Sequence, residues 1–219
     1  YNRKGGPEMG KKTRALIPVK NLEESKTSFS EILTDEQRSE LTLAMLEDVL
    51  TAVEMAEGVE ATVVTPDDRV KDFAEELDFG VIVEPDLGLN RALEIAIGKS
   101  IDDGFAQVLI LPSDVPMVRP EDIRKILQVA SGDRSIVITP SEEKGTNALL
   151  LRPPDVIDLQ YGGKSFPDHV REAKSRDIEI KIYRSENLKR DIDEPSHLLK
   201  VETRSQGTKT HSFLDSLKN

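Results

Sequence analysis

Apolar positions in this chain alternate between short unbroken runs and stripes at helical spacing. Residues 13–19 hold the first run, from Ala15 through Ile17 to Val19, and predict a buried strand. Thr34 followed by Gln37 forms a capping box, in which each side chain satisfies the other residue's backbone donor. Leu41, Met45, Val49 and Val53 then recur every four residues, predicting a helix to about residue 57 with one buried stripe. Residues 59–65 predict a strand. Thr65, Pro66, Asp67 and Asp68 predict the next helix start, with Thr65 as cap, Pro66 first in the helix and acid in the first turn. Residues 79–83 predict another strand, residues 89–97 a helix behind a turn at Gly88, and residues 108–111 a fully buried strand. Pro120 introduces a helix over residues 121–130, and strands follow at 135–139 and 147–151. Ser165 with Asp168 opens a helix to about residue 174. Residues 178–183 alternate as a half-exposed strand, and Pro195 opens a last helix to about residue 201.

Strand and helix alternate, so the pattern predicts an α/β fold with a mostly parallel sheet covered on both faces. No linker-like break interrupts it. One domain is expected over residues 13–202, after a disordered lead (1–12) and before a loose tail or short docking segment (203–219).

Composition narrows the function. The chain has 219 residues and a formal net charge of −11, which argues against a nucleic-acid surface. A nucleotide substrate needs only a local positive site and stays open. Cysteine is absent, which removes thiol chemistry, disulfides and sulfur-ligated metals. Aromatics make up only 4%, so the core must rest on aliphatic side chains. No run is as long as a membrane helix and no signal peptide is evident, so a cytoplasmic protein is expected.

Two acidic segments carry the chemistry. The apolar run from Val108 ends in Leu111, Pro112, Ser113 and Asp114. The second segment is Asp191, Ile192, Asp193, Glu194 and Pro195, where alternation puts both aspartates on one face of an expected strand. A strand ending in aspartate delivers a carboxylate to the sheet edge. Two such edges meeting would give a hard divalent cation oxygen ligands, and Mg²⁺ fits because it keeps positions for water and phosphate. The plainer alternative is that Asp114 and Asp193 cap turns before Pro116 and Pro195.

Lys20 and Lys26 flank the loop after the first strand, where an α/β fold keeps its phosphate contacts; solvated surface lysines are the plainer reading. Neither a P-loop nor a dinucleotide-binding glycine motif is present. Asn90, behind Gly88 and Leu89, is a candidate for a base or ribose, or a simple helix cap. Gly145, Thr146 and Asn147 suit an anion or a plain loop. Gly162 and Gly163 before Ser165 form a stronger anion site at a helix start, with His169 one turn on. The histidine spacing does not suit zinc.

Six motifs in order resemble the 2-phospho-L-lactate guanylyltransferase family of coenzyme F420 biosynthesis, within the molybdenum-cofactor-guanylyltransferase-like nucleotidyltransferases. They are Ile17 to Lys20 with Ser25 to Thr27; Gly88 to Asn90; Leu111 to Pro116; Gly145 to Asn147; Ser165 and Phe166 with His169; and Asp191 to Pro195. The resemblance implies a three-layer α/β/α sandwich with a mixed, mostly parallel sheet, like the nucleotide-diphospho-sugar transferases. It implies that 2-phospho-L-lactate attacks GTP to give lactyl-2-diphospho-5'-guanosine and pyrophosphate, with phosphoenolpyruvate as the alternative acceptor. A non-catalytic nucleotide-binding regulator is the alternative of another class. By the same resemblance, Asp114, Asp191 and Asp193 hold Mg²⁺, and Lys20 and Lys26 meet the GTP phosphates. Gly88, Leu89, Asn90 and Pro112 line the nucleotide pocket, and Thr146, Asn147, Gly162, Ser165 and His169 hold the phospho-acid. Ser28 stands where the family commonly has arginine, leaving Lys26, Arg38 or Arg91 to supply that charge.

A homodimer is expected, since twofold pairing is the commonest closed assembly. Its candidate surface is the edges of segments 178–183 and 148–151, with Ile178, Ile180 and Ile182 facing the core. No stable hetero-partner is indicated, although a downstream transferase suits transient contact.

Overall fold

The computed structural model describes residues 12–202 and 207–218. The expected lead therefore lies outside the described residues up to position 11. Seven strands form one sheet: β1 (Thr13–Pro18), β2 (Val59–Thr65), β3 (Gly80–Val83), β4 (Gln107–Ile110), β5 (Ser135–Pro140), β6 (Thr146–Arg152) and β7 (Glu179–Ile182). Their spatial order is β3-β2-β1-β4-β6-β5-β7. Only β6 runs against the rest, pairing antiparallel with both β4 and β5. The helices are α1 (Asp35–Glu54), α2 (Asp68–Glu76), α3 (Leu89–Asp102), α4 (Pro120–Val129), α5 (Ser165–Ser175), α6 (Pro195–Glu202) and α7 (Lys209–Ser216). Among the described residues, no helix is long and apolar enough to cross a membrane.

Alternation along the strands explains the layers. Ala15, Ile17, Val63, Leu109, Val137 and Leu150 point to one face, where they meet Leu46, Val49, Leu50 and Val53 of α1 with residues of α2 and α4. Leu16, Val64, Ile110, Ile136 and Leu149 point to the other, against Ala92, Leu93, Ala96 and Ile97 of α3 and Ala173 of α5. The fold is thus the expected three-layer α/β/α sandwich. Each large aliphatic side chain in these layers contributes about 1.5–3 kcal/mol by leaving water. The capping box forms as expected: Gln37 N donates to Thr34 Oγ1 at 3.2 Å, and Thr34 N donates to Gln37 Oε1 at 2.9 Å.

A third, smaller cluster matters for the site. Phe29, Leu33, Leu41, Met45 and Ile192 are buried together, with Met117, Leu198 and Phe213 packed against them. It joins the loop after β1, the helix α1 and the second acidic segment to α6 and α7.

Four expectations change. Thr65 belongs to β2, and Asp67 caps α2 instead: its Oδ1 accepts from both Arg69 N and Val70 N, while Thr65 Oγ1 is spent on Asp67 N. The helix at 89 continues through Gly98 to Asp102, because Ala96, Ile97 and Ser100 still face the core. The tail is not loose over residues 207–218. Asp48 on α1 accepts from Lys209 N, Thr210 N and Thr210 Oγ1 at 2.7, 2.9 and 2.6 Å, and Leu214 is buried. Finally, the proposed dimer surface fails for segment 148–151, which lies in the sheet interior within β6. On the edge strand β7, Ile182 is 50% exposed rather than in the core.

Candidate active site

The sheet order places β1 and β4 side by side while their following connections diverge, and α/β proteins bind ligands outside the strand ends at such a switch. A pocket of about 540 Å³ opens there. Because β6 is reversed, its start meets the ends of β1 and β4, which brings Thr146 and Asn147 to the same rim. Pro18, Val19 and Lys20 leave β1 into this pocket, and Pro112, Ser113 and Asp114 enter it from β4.

Asp114, Asp191 and Asp193 converge, each offering an oxygen within 4.8 Å of the others. Asp191 and Asp193 do not lie on the expected strand but on an irregular segment. Its backbone is fixed by other means, so no ladder is needed. Ile192 N donates to Asp114 O at 2.9 Å, Glu142 N donates to Lys189 O at 2.8 Å, and Asn147 Nδ2 donates to Leu188 O at 2.9 Å. Upstream, the buried Asp122 carboxylate accepts from Tyr183 Oη, Ser185 Oγ and Asn187 Nδ2 at 2.9, 2.6 and 2.9 Å. It also caps α4 by accepting from Arg119 N at 3.1 Å.

Lys26 sits between the acidic segments. Its Nζ donates to Asp114 Oδ2 at 2.9 Å and Asp193 Oδ1 at 2.8 Å. The residue adopts left-handed backbone with φ 53°, a conformation that costs a non-glycine residue about 1–2 kcal/mol. Ser28 Oγ donates to the Asp193 carbonyl, so the residue standing at the arginine position latches the loop to the second acidic segment. Burial works against the Lys26 charge, but Asp114 and Asp193 outweigh it and raise the ammonium pKa. Burial likewise works against an ionised Asp193, and the Lys26 ammonium overrides it to hold that carboxyl below its usual range. Among the described residues, no cation pairs with Asp191 in this way. Burial, then the charge of Asp114 and a hydrogen bond and charge from Asp193, push it up to about 7. A donor set of three hard oxygens with surplus negative charge fits a divalent cation such as Mg²⁺.

The opposite set of expected residues divides. Thr146, Gly162, Ser165, Leu89, Pro112, Lys20 and Lys26 line the pocket. Gly162 has φ 142°, backbone that a side chain rarely adopts. Asn147 lines it too, although its amide nitrogen is spent on Leu188. Gly88, Asn90 and His169 are not among the lining residues. Asn90 Nδ2 donates to Tyr161 O at 2.8 Å and its Oδ1 accepts from Tyr161 N at 2.9 Å, so both ends of its amide clamp a neighbouring loop rather than wait for a base. His169 is fully buried behind Thr146. Arg38 is buried on Ser25 O and Asp35, Arg91 pairs with Glu94, and neither lines the pocket. Tyr161 lines it without having been singled out, and Asp122 anchors it from outside. Asp122 at the start of α4 reads as an ordinary cap, and only its distant partners reveal more.

The family comparison agrees with this geometry. Residues 13–219 match the family described as guanylyl transferase CofC like. The chain is 36% identical over 209 residues to a 2-phospho-L-lactate guanylyltransferase of Methanocaldococcus jannaschii, covering 95% of this chain and 90% of that one. It is 34% identical over 189 residues to a phosphoenolpyruvate guanylyltransferase of Rubrobacter xylanophilus, covering 86% and 92%. Among solved structures, a putative nucleotide-diphospho-sugar transferase from Desulfovibrio desulfuricans superposes with a TM-score of 0.77 at 19% identity, covering 94% and 96%. A Methanothermobacter nucleotidyl transferase superposes with a TM-score of 0.68 at 16% identity, covering 93% and 98%. The structural likenesses speak for the fold. With a family match over nearly the whole chain and acidic and polar motifs gathered at one switch point, the chain belongs to the CofC-like guanylyl transferase family.

Proposed function

We propose that this chain transfers the guanylyl group of GTP to the phosphate of 2-phospho-L-lactate, in coenzyme F420 biosynthesis. The observation that carries this is the gathering of Asp114, Asp191, Asp193 and Lys26 in one pocket with Lys20, Thr146, Gly162 and Ser165. The regulator alternative is disfavoured, because a binder has little use for clustered carboxylates beside phosphates.

A phosphate oxygen of the acceptor attacks the α-phosphorus of GTP. The bond from that phosphorus to the bridging oxygen of the β-phosphate breaks, and pyrophosphate leaves with the electron pair. The nucleophile is already an anion, so no general base is required. The difficulty is repulsion between two anions held in line. Lys20 and Lys26 offset charge on the triphosphate, and Thr146, Ser165 and the backbone at Gly162 hold the phospho-acid. Asp114, Asp191 and Asp193 would hold Mg²⁺, which supplies positive charge to the phosphate oxygens when bound.

Phosphoenolpyruvate is the second reading, favoured by the name of the Rubrobacter relative. The two acceptors differ by two hydrogens across one carbon–carbon bond, a small difference for a pocket to discriminate. Pyrophosphate release with GTP, Mg²⁺ and each acceptor in parallel tests both. Faster release with 2-phospho-L-lactate is expected. Preference for phosphoenolpyruvate reverses the assignment, and no release with either acceptor, with Mg²⁺ or Mn²⁺, overturns guanylyl transfer.

A further inference from the structure

Behind the polar wall of the pocket lies a buried imidazole. His169 on α5 has no exposed surface and is not among the lining residues. Its Nε2 accepts from the backbone N–H of Gln160 at 2.9 Å. A backbone N–H can only donate, so Nε2 must be the bare nitrogen. Burial keeps the ring neutral by pulling its pKa down to about 4, against the Asp168 carboxylate and a backbone hydrogen bond at Ser165. A neutral ring with a bare Nε2 carries its proton on Nδ1.

That placement controls the wall. Nδ1 lies 3.1 Å from Thr146 Oγ1. A protonated Nδ1 cannot accept, so Thr146 cannot spend its hydroxyl proton backwards. Ser165 Oγ donates to Thr146 Oγ1 at 3.0 Å, so Thr146 does not donate there either. Both hydroxyl residues line the pocket. If the two hydroxyls exchange roles, the free proton moves to Ser165 on the same wall, and the number of protons offered is unchanged.

We propose that His169 is a positioning residue, fixed as the Nδ1–H tautomer, that commits the Thr146–Ser165 pair to present a hydroxyl donor to the pocket. The proton so offered suits a ligand oxygen that accepts, such as a carboxylate or phosphate oxygen. This rests on the reading of the pocket as the phospho-acid site. A hydroxyl pair free to turn could spend that proton inward; this one is held with it facing the pocket.

The tautomer is directly measurable. Long-range proton–nitrogen correlation spectra of the wild-type protein, labelled with ¹⁵N-histidine, report both ring nitrogens. The signals of His169 are assigned by their loss in His169→Asn. The expected result is a pyrrole-like Nδ1 and a pyridine-like Nε2. A proton on Nε2, or averaging between the nitrogens, overturns the proposal. Kinetics supply the second readout. His169→Asn places an amide donor near the position of Nδ1 and is expected to hold the KM for the phospho-acid within about threefold of wild type. His169→Leu is expected to raise that KM by ~10-fold, the worth of one hydrogen bond, with the KM for GTP unchanged. Equal rises in both KM values, or no rescue by asparagine, overturn the positioning role. If the wild type turns over no phospho-acid, guanylyl transfer fails as the function, while the nitrogen spectra still decide the tautomer.

Discussion

Asp114 and the pair Asp191 and Asp193 reach the same point by different means. Asp114 follows β4, a strand buried along its whole length and flanked by β1 and β6. It sits four residues past the end of that strand, on a turn pinned between the fully buried Leu111, whose N–H donates to Leu16 O at 3.0 Å, and the fully buried Val115. Asp191 and Asp193 hang on a segment without regular structure, tied by single hydrogen bonds to Asp114 O and Asn147, by Asp122 upstream and by Ile192 in the third cluster. One carboxylate is held by the core of the fold, and the other two by a handful of separable contacts. The difference teaches that chemistry and support can be tested apart: removing Asp114 strikes the chemistry, while removing an anchor strikes only the support.

The largest effect is expected at Asp114. Asp114→Asn removes a negative charge from the candidate metal site and from Lys26, without touching the core. Pyrophosphate release should fall about 10³-fold, the rate equivalent of several kcal/mol of lost charge stabilisation. Thermal unfolding should change little, because relief of the Asp114 charge on Asp191 opposes the loss of a partner for Lys26. A variant as active as wild type would break the metal assignment.

Asp122→Ala should act from the other side. It leaves three side-chain donors and one backbone donor without their acceptor. The cost should be about 3 kcal/mol in urea unfolding, since a hydrogen bond to a charged group is worth about 1.5–3 kcal/mol. Amide exchange should quicken over residues 183–193 more than in β4. Uniform exchange across both would erase the contrast between the two acidic segments.

A third expectation concerns the pocket wall, which shares the rigidity of the sheet. In the unfolded chain His169 titrates near 6.5, and in the folded protein near 4. Between those values the unfolded state binds a proton that the native state refuses. Stability therefore falls as pH drops from about 6.5 to about 4, by roughly 3 kcal/mol in all. Urea unfolding of wild type and His169→Asn across this range checks it, and the variant should lack that part of the acid loss. An equal loss in both would place the cause elsewhere.

The sequence carried the fold well because the sheet is buried on both faces, and runs such as Val108 to Leu111 have few other ways to fold. It brought Lys20, Thr146 and Ser165 to the pocket rim because each lies at or within two residues of a strand or helix end, and Asp114 because it closes the short run that begins in β4. It could not reveal that Lys26 bridges Asp114 and Asp193, because those partners lie 88 and 167 residues away. Asn90 and His169 bear side chains suited to ligands and spend them on the protein's own backbone and hydroxyls, which spacing alone does not distinguish. Asp191 and Asp193 kept their alternation without a strand, because Ile192 turns into an apolar cluster whose members come from distant parts of the chain. The sequence left the C-terminal segment open between a loose tail and a docking segment because the helix's burial is modest, with Thr210 and Leu214 its buried residues and a carboxylate on α1 providing the anchor.

That helix has a use for measurement. Asp48 grips its first turn through three hydrogen bonds, and Phe213 packs on the cluster that also holds Phe29 and Ile192. A fluorophore attached at Leu217, just past α7 and 37% exposed, would ride on a fixed platform rather than a swinging chain end. Paired with a second dye on the loop after β1, it would give a calibrated internal ruler, against which movement of the Lys26 loop on adding GTP registers as a change in energy-transfer efficiency.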